Sequence, residues 1–143
     1  MFLGEYKHTV DTKGRVAIPA KFREKLERGA IITRGLDHCL FVFGADEWKT
    51  LAEKLVSLPL AQAGSRAFSR LMLSGASDGS LDVQGRILIP EHLREYARLT
   101  KAVVVTGVYT RLEIWDASEW KAYKKKTESA ADEIAEKLGE LGI

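Results

Sequence analysis

One pattern occurs twice, and it constrains most of what this chain can become. Asp11-Thr12-Lys13-Gly14-Arg15 runs into Val16-Ala17-Ile18-Pro19, and seventy-one positions on Asp82-Val83-Gln84-Gly85-Arg86 runs into Ile87-Leu88-Ile89-Pro90. The shared parts are Asp, Gly and Arg at fixed spacing, then an aliphatic run closed by Ile-Pro. Asp suits the first position of a type I turn, where its carboxylate accepts hydrogen bonds from backbone N–H groups further on. Gly supplies the positive φ that closes a three-residue hairpin loop with a bulge. Asp and Arg then face each other where the strands begin, close enough for an ion pair. Each copy is expected to be a stiff β-loop with a long cation at its foot.

The surroundings repeat with the motif. Tyr6, His8 and Val10 alternate with Glu5, Lys7 and Thr9, the pattern of a half-buried strand leading into the first turn. Pro19 opens a short helix and Gly29 ends it. Ile31-Ile32-Thr33 and Leu40-Phe41-Val42-Phe43 read as strands, and Asp46 as the N-cap of a helix through Trp48 and Leu55. A connecting helix around 65–73 leads to the second pass: a strand through Leu81, the second turn and the Pro90 helix. Ala102–Val105 and Leu112–Trp115 then follow as strands, with Ser118 in the place of Asp46 and Trp120 in that of Trp48. The expected boundaries are 5–47 and 76–119 for the two units, 48–75 for the helical connection and 120–143 for a C-terminal helix and tail. A unit of about 45 residues is too small to bury a convincing core alone. The expected fold is therefore α+β: tandem duplicated ββαββα units sharing one core about a pseudo-two-fold axis, with peripheral helices. Such symmetry suits a ligand with two-fold character, and duplex DNA is one.

Charge distribution points the same way more gently. The formal net charge is only +2, but residues 1–71 carry 12 Lys/Arg against 8 Asp/Glu while 72–143 carry 10 against 12, so any basic face is weighted to the first half. A β-ribbon can enter the major groove. Arg15 and Arg86 could contact guanine edges bidentately or clamp phosphates; Lys13 at the loop tip and Lys7 on the strand add phosphate contacts, and Gln84 stands where the first copy has Lys13. Lys21 and Arg23 extend the basic surface along the following helix. Asp11, Gly14, Asp82 and Gly85 are assigned the structural share of each turn. Trp48 and Trp120 read as core or subunit-contact residues, and Lys124-Lys125-Lys126 as a solvated helix face. The single cysteine, Cys39, excludes an internal disulfide framework and fits a reducing cytosol. No segment resembles a signal peptide or a membrane span. His38 and Cys39 are neighbours, but adjacent strand positions point to opposite faces, and the chain has no P-loop, no His-x-x-x-His helix and no zinc-type cysteine pair. No catalytic residue, metal or cofactor is expected, nor a small-molecule substrate.

Asp-x-x-Gly-Arg followed by an aliphatic run and Ile-Pro, present twice, resembles the MraZ family of bacterial transcription regulators, within the wider AbrB/SpoVT group of swapped-hairpin DNA-binding domains. The resemblance covers nearly the whole chain, including the Trp-containing helices and the connecting helix. It implies a swapped-hairpin β-barrel, a ring-shaped homo-oligomer and a cytoplasmic, nucleoid-associated protein. It also implies binding to double-stranded DNA at short repeated boxes upstream of the division and cell-wall gene cluster. The rival reading is an antitoxin-like protein-binding module on the same hairpin fold. Such proteins pair one DNA-binding domain with a disordered tail, whereas here the second segment is another patterned copy.

Overall fold

A computed structural model describes residues 1–142 as a mixed α+β chain. The first pass runs β1 (Phe2–Thr9), β2 (Arg15–Ala17), α1 (Ala20–Arg23) with a 3₁₀ turn (Glu24–Leu26), β3 (Ala30–Arg34), β4 (Leu40–Gly44) and α2 (Ala45–Val56). Then come α3 (Ala63–Ser69), which widens into a π-helical turn (Arg70–Ser74), β5 (Ser77–Asp78), β6 (Arg86–Leu88), α4 (Glu91–Tyr96), β7 (Ala102–Tyr109) and β8 (Leu112–Asp116). The helices α5 (Ala117–Ser129) and α6 (Ala131–Leu138) close the chain, with a last 3₁₀ turn at Gly139–Leu141.

The strands form a six-stranded antiparallel sheet in the order β1-β7-β8-β4-β3-β5 and a two-stranded sheet of β2 with β6. By copy, the large sheet reads first, second, second, first, first, second. Read backwards the order is the same with the two copies exchanged, so the pseudo-dyad passes between β8 and β4. The registers agree: Leu40 faces Ile114 and Val42 faces Leu112 about a central Phe41–Glu113 pair, while β2 and β6 are centred on Val16–Ile87. Strands β4 and β8 are buried at all five positions, as suits the middle of a sheet covered on both faces; β4 is apolar throughout, while β8 buries Glu113 and Asp116 against hydrogen-bond partners.

Between the large sheet and the β2/β6 ribbon lies one core drawn from both copies. Val16, Ile18, Ile32, Leu40 and Val42 join Ile87, Ile89, Leu93, Val105 and Ile114 there, all fully buried. Each such side chain contributes about 1.5–3 kcal/mol by leaving water. The opposite sheet face carries a second cluster of Cys39, Phe41, Phe43, Leu55, Met72 and Trp115, which α2, the π-helical turn and α5 help to cover.

Several local expectations are corrected. The two arms of the first turn are joined beyond it by a single bridge, Val10 to Val16; β1 instead pairs along its length with β7, and β2 with β6. The strand expected through Leu81 is only two residues long. Asp78 Oδ1 accepts from the Ser80 N–H and hydroxyl at 2.9 and 2.7 Å and turns the chain out of the sheet. The N-caps are Gly44 and Asp116 rather than Asp46 and Ser118; Asp116 accepts from the N–H groups of Ser118 and Glu119. The final helix is broken at Ala130.

Candidate nucleic-acid interface

Both hairpin turns are built alike, atom for atom. Asp11 Oδ1 accepts from the backbone N–H of Lys13 and of Arg15, each at 2.9 Å, and Oδ2 takes the Arg15 Nε–H at 2.7 Å. Asp82 repeats this with the N–H groups of Gln84 and Arg86 at 2.9 Å and Arg86 Nε at 2.9 Å. Gly14 and Gly85 take φ of +82° and +77°, a left-handed conformation that a β-carbon disfavours. Their N–H groups return to the Asp11 and Asp82 carbonyls at 3.0 and 2.9 Å and close the turns. The two turns also touch, because Arg86 Nη1 lies 3.7 Å from Asp11 Oδ2 across the dyad. The backbone N–H of Arg15 chiefly, set against the cost of desolvation and assisted by its guanidinium and the Lys13 N–H, holds the Asp11 carboxyl below its usual range. Asp82 is lowered in the same way, first by the Arg86 N–H. Both acids are therefore anions near neutral pH, and they occupy one edge of each guanidinium, the Nε edge.

A second pair of arginines braces the turns from the opposite copy. Arg23 Nε donates to the Ile18 carbonyl at 2.9 Å, and the Ile18 N–H donates to the Gly85 carbonyl at 3.0 Å. Symmetrically, Arg94 Nη1 donates to the Ile89 carbonyl at 2.6 Å, and the Ile89 N–H to the Gly14 carbonyl at 2.8 Å. A β-carbon at Gly14 would collide with Arg94 Nη1, and one at Gly85 with Arg23 Nε. The glycines thus supply positive φ and also room for a guanidinium laid on the turn. Arg94 was absent from the expected contacts, although it stands four residues after Pro90 as Arg23 stands four after Pro19.

The remaining candidates divide. Lys13 and Gln84 are exposed at the two loop tips, beside Thr12 and a fully exposed Val83. Lys21 is exposed on α1 with its ammonium 4.6 Å from the centre of the Tyr6 ring, at the flank of the core and not at a tip. Lys7 is not gathered with the turns. It lies beside Trp120, Lys121 and Lys124 in a cleft between α5 and the β1–β7 edge. His8 is lowered from its usual range by burial first and by the Arg23 charge second, and is neutral at pH 7. Trp48 and Trp120 pack on the second apolar cluster, and Lys124 pairs with Glu5 at 2.8 Å. Cys39 lies in the β3–β4 turn, not on a strand. It is fully buried with its thiol pushed far up by desolvation, while His38 is exposed. No group of side chains arranged to hold a metal occurs among the described residues.

The duplicated sequence has counterparts among known proteins. A family profile described as "MraZ protein, putative antitoxin-like" matches residues 1–71 and again 72–140. The chain belongs to the MraZ family. It is 52% identical over 143 residues to the Transcriptional regulator MraZ of Caldanaerobacter subterraneus subsp. tengcongensis, covering 100% of both chains. It is 54% identical over 143 residues to that of Alkaliphilus oremlandii, again covering 100% of both. Against that of Carboxydothermus hydrogenoformans the figure is 54% over 138 residues, 96% of each. The boundary between the two MraZ matches falls inside the helical connection, within the π-helical turn.

Proposed function

We propose that this chain is a sequence-specific, DNA-binding transcriptional regulator, with the twin Asp–Gly–Arg hairpins as its reading heads. One observation carries the reading. Two identically braced turns meet on a pseudo-dyad with Arg15, Arg86, Arg23, Arg94 and Lys13 around the carboxylates of Asp11 and Asp82. Such an excess of cations on a two-fold ribbon complements a polyanion with a local two-fold axis. The Nε edges of Arg15 and Arg86 are held by Asp, and Arg86 Nη1 also faces Asp11, which leaves the Arg15 Nη groups and Arg86 Nη2 for guanine O6/N7 or phosphate. Lys13 and Gln84 at the tips supply phosphate and hydrogen-bonding contacts; Lys21 and Lys7 stand further off and add only long-range charge. The relatives' names as transcriptional regulators support the same conclusion.

The exchange of β1 and β5 between copies supports a swapped-hairpin barrel, with 5–47 and 76–119 as its two units, 48–75 as the helical connection and 120–143 as the C-terminal helix and tail. The chain offers two Asp–Gly–Arg turns. Affinity for repeated boxes upstream of the division and cell-wall genes therefore comes from a homo-oligomer, closed as a ring, that engages several boxes at once. Its place is the cytoplasm, on the nucleoid, and its work is binding without chemistry. No described helix is long and apolar enough to cross a membrane. The family description's word "antitoxin-like" favours a second reading, in which the same hairpin fold neutralises a protein partner. Against it, the second half is a folded copy, not a wrapping tail.

The test is selection of bound fragments from a library of genomic duplexes, run with the natural chain and with Arg15→Ala/Arg86→Ala. The natural chain should enrich short repeated boxes. The double variant should enrich none, while its circular dichroism and oligomer size stay unchanged. Recovery of one stoichiometric protein partner and no DNA would establish the antitoxin-like reading instead.

A further inference from the structure

The two turns are alike, but the ribbon between them is not. Strand alternation sends Val16 and Ile87 inward, both fully buried, and leaves Arg15 and Ala17 of β2 and Arg86 and Leu88 of β6 on the outward face. The register sets Arg15 opposite Leu88 and Arg86 opposite Ala17. Side chains directly opposed in this way stand about 4.5–5.5 Å apart at their β-carbons. Each arginine therefore has one cross-strand neighbour, and the pseudo-dyad that exchanges the arginines exchanges a leucine for an alanine.

Leu88 is 53% exposed, whereas the half-buried Ala17 presents a single methyl group beside Arg86. The other differences between the motif copies, Lys13 against Gln84 and Thr12 against Val83, lie at the loop tips and not on the ribbon. Isolated exposed apolar side chains are common on protein surfaces, and this one is singled out by its place. Its neighbours Ile87 and Ile89 fill the inward positions, so Leu88 adds nothing to the core. It stands instead as the cross-strand partner of an arginine on the face that carries both guanidinium groups.

The arginines differ in the same sense. Arg86 Nη1 lies 3.7 Å from Asp11 Oδ2, and among the described residues Arg15 makes no matching contact with Asp82. Both Nη groups of Arg15 are free for the bidentate contact with guanine O6 and N7, while Arg86 keeps Nη2 alone. The better-equipped guanine reader is thus the one with the leucine at its side. In the major groove the apolar group a base edge offers is the 5-methyl of thymine. Successive base pairs are about 3.4 Å apart, so a side chain opposite Arg15 comes over the step that adjoins its guanine.

We infer that Leu88 is a specificity-determining residue: it packs against the 5-methyl group of a thymine adjoining the guanine that Arg15 reads. The dyad-related position, where Ala17 stands beside Arg86, carries no such reader. This deepens the regulator reading above and rests on it.

The experiment measures equilibrium binding to a duplex carrying one box recovered by fragment selection. Each thymine in turn is replaced by deoxyuridine, which keeps its base pairing and lacks only the 5-methyl group. The natural chain should lose about fourfold in affinity at a thymine adjoining a guanine, the effect of removing one methyl from an apolar contact. Leu88→Ala should bind the unmodified box more weakly and be indifferent to that replacement, with circular dichroism and sedimentation unchanged. A Leu88→Ala chain that remains as sensitive to deoxyuridine as the natural one would overturn the inference. So would a selected box with no thymine beside a guanine, or a change of oligomer size in Leu88→Ala, which would make Leu88 a contact between copies. The two readings fail differently. A box bound tightly but indifferent to every deoxyuridine overturns this inference alone, whereas a natural chain that enriches no box overturns the regulator and this inference with it.

Discussion

At the residue scale, the most exposed and the most constrained members of each turn do different work. Asp11 and Asp82 each collect two backbone N–H groups and a guanidinium, and the hydrogen bonds to the charged form lower both pKa values. A depressed folded-state pKa adds stability that is fully present above the unfolded value and is lost as pH falls through the folded one. Asp11→Asn/Asp82→Asn should therefore lower the urea midpoint at pH 7, and the gap to the natural chain should narrow as pH falls below the usual carboxylate range near 3.8. Urea titrations at pH 7 and pH 2.5 check this, and a gap that does not narrow would mean that ionisation of the two carboxyls contributes nothing to it. Lys13 is exposed at the tip of its turn, so its role is read on the ligand side. Lys13→Ala should weaken binding to every duplex and reduce the slope of log K against log salt by about 1. An unchanged slope in a salt series removes Lys13 from the interface.

At the element scale, each hairpin is held less by its own second strand than by the other copy. Arg94 lies on the Gly14 turn and Arg23 on the Gly85 turn, each tied to the isoleucine carbonyl of an Ile-Pro step. Arg94→Ala should leave the core intact and loosen the first loop only. It should raise amide exchange at Lys13–Arg15 and weaken specific binding several-fold, while Arg23→Ala does the same at Gln84–Arg86. If exchange by NMR rises equally in both loops, the bracing is not crossed. The turns themselves were legible from five residues, because Asp-x-x-Gly-Arg closes within its own span. The capping was not: Asp116 ends a strand and starts a helix at once, and its other oxygen is taken by Thr100, sixteen residues back. Nor was the shortness of β5, which depends on Asp78 curling onto Ser80. Arg94 shares its spacing from Ile-Pro with Arg23, so the repeat contained the clue to it, but the contact it makes crosses between copies and has no local pattern. Lys7 is the converse case. Alternation placed it correctly on the polar side of β1, yet that side faces α5 and not the turns.

At the scale of the whole molecule, neither half is a structural unit. The first copy's longest strand, β1, pairs only with β7 of the second, and the ribbon carrying both turns is one strand from each. The shared core draws on Val16, Ile18 and Ile32 from one half and Ile87, Ile89 and Val105 from the other, so cutting the chain exposes about half of it at once. Fragments 1–71 and 72–143 should each fail to give a folded monomer by sedimentation and circular dichroism. Mixed in equal amounts, they should regain the native spectrum as a 1:1 complex. Self-pairing of a single fragment remains compatible with this, because the dyad makes the two partners equivalent, but only as a dimer that interleaves in the same way. A folded, monomeric 1–71 would mean that β1 finds a partner within its own copy. That would break the link between the duplication and the paired arginines, since the two turns face one surface only because the strands behind them are exchanged.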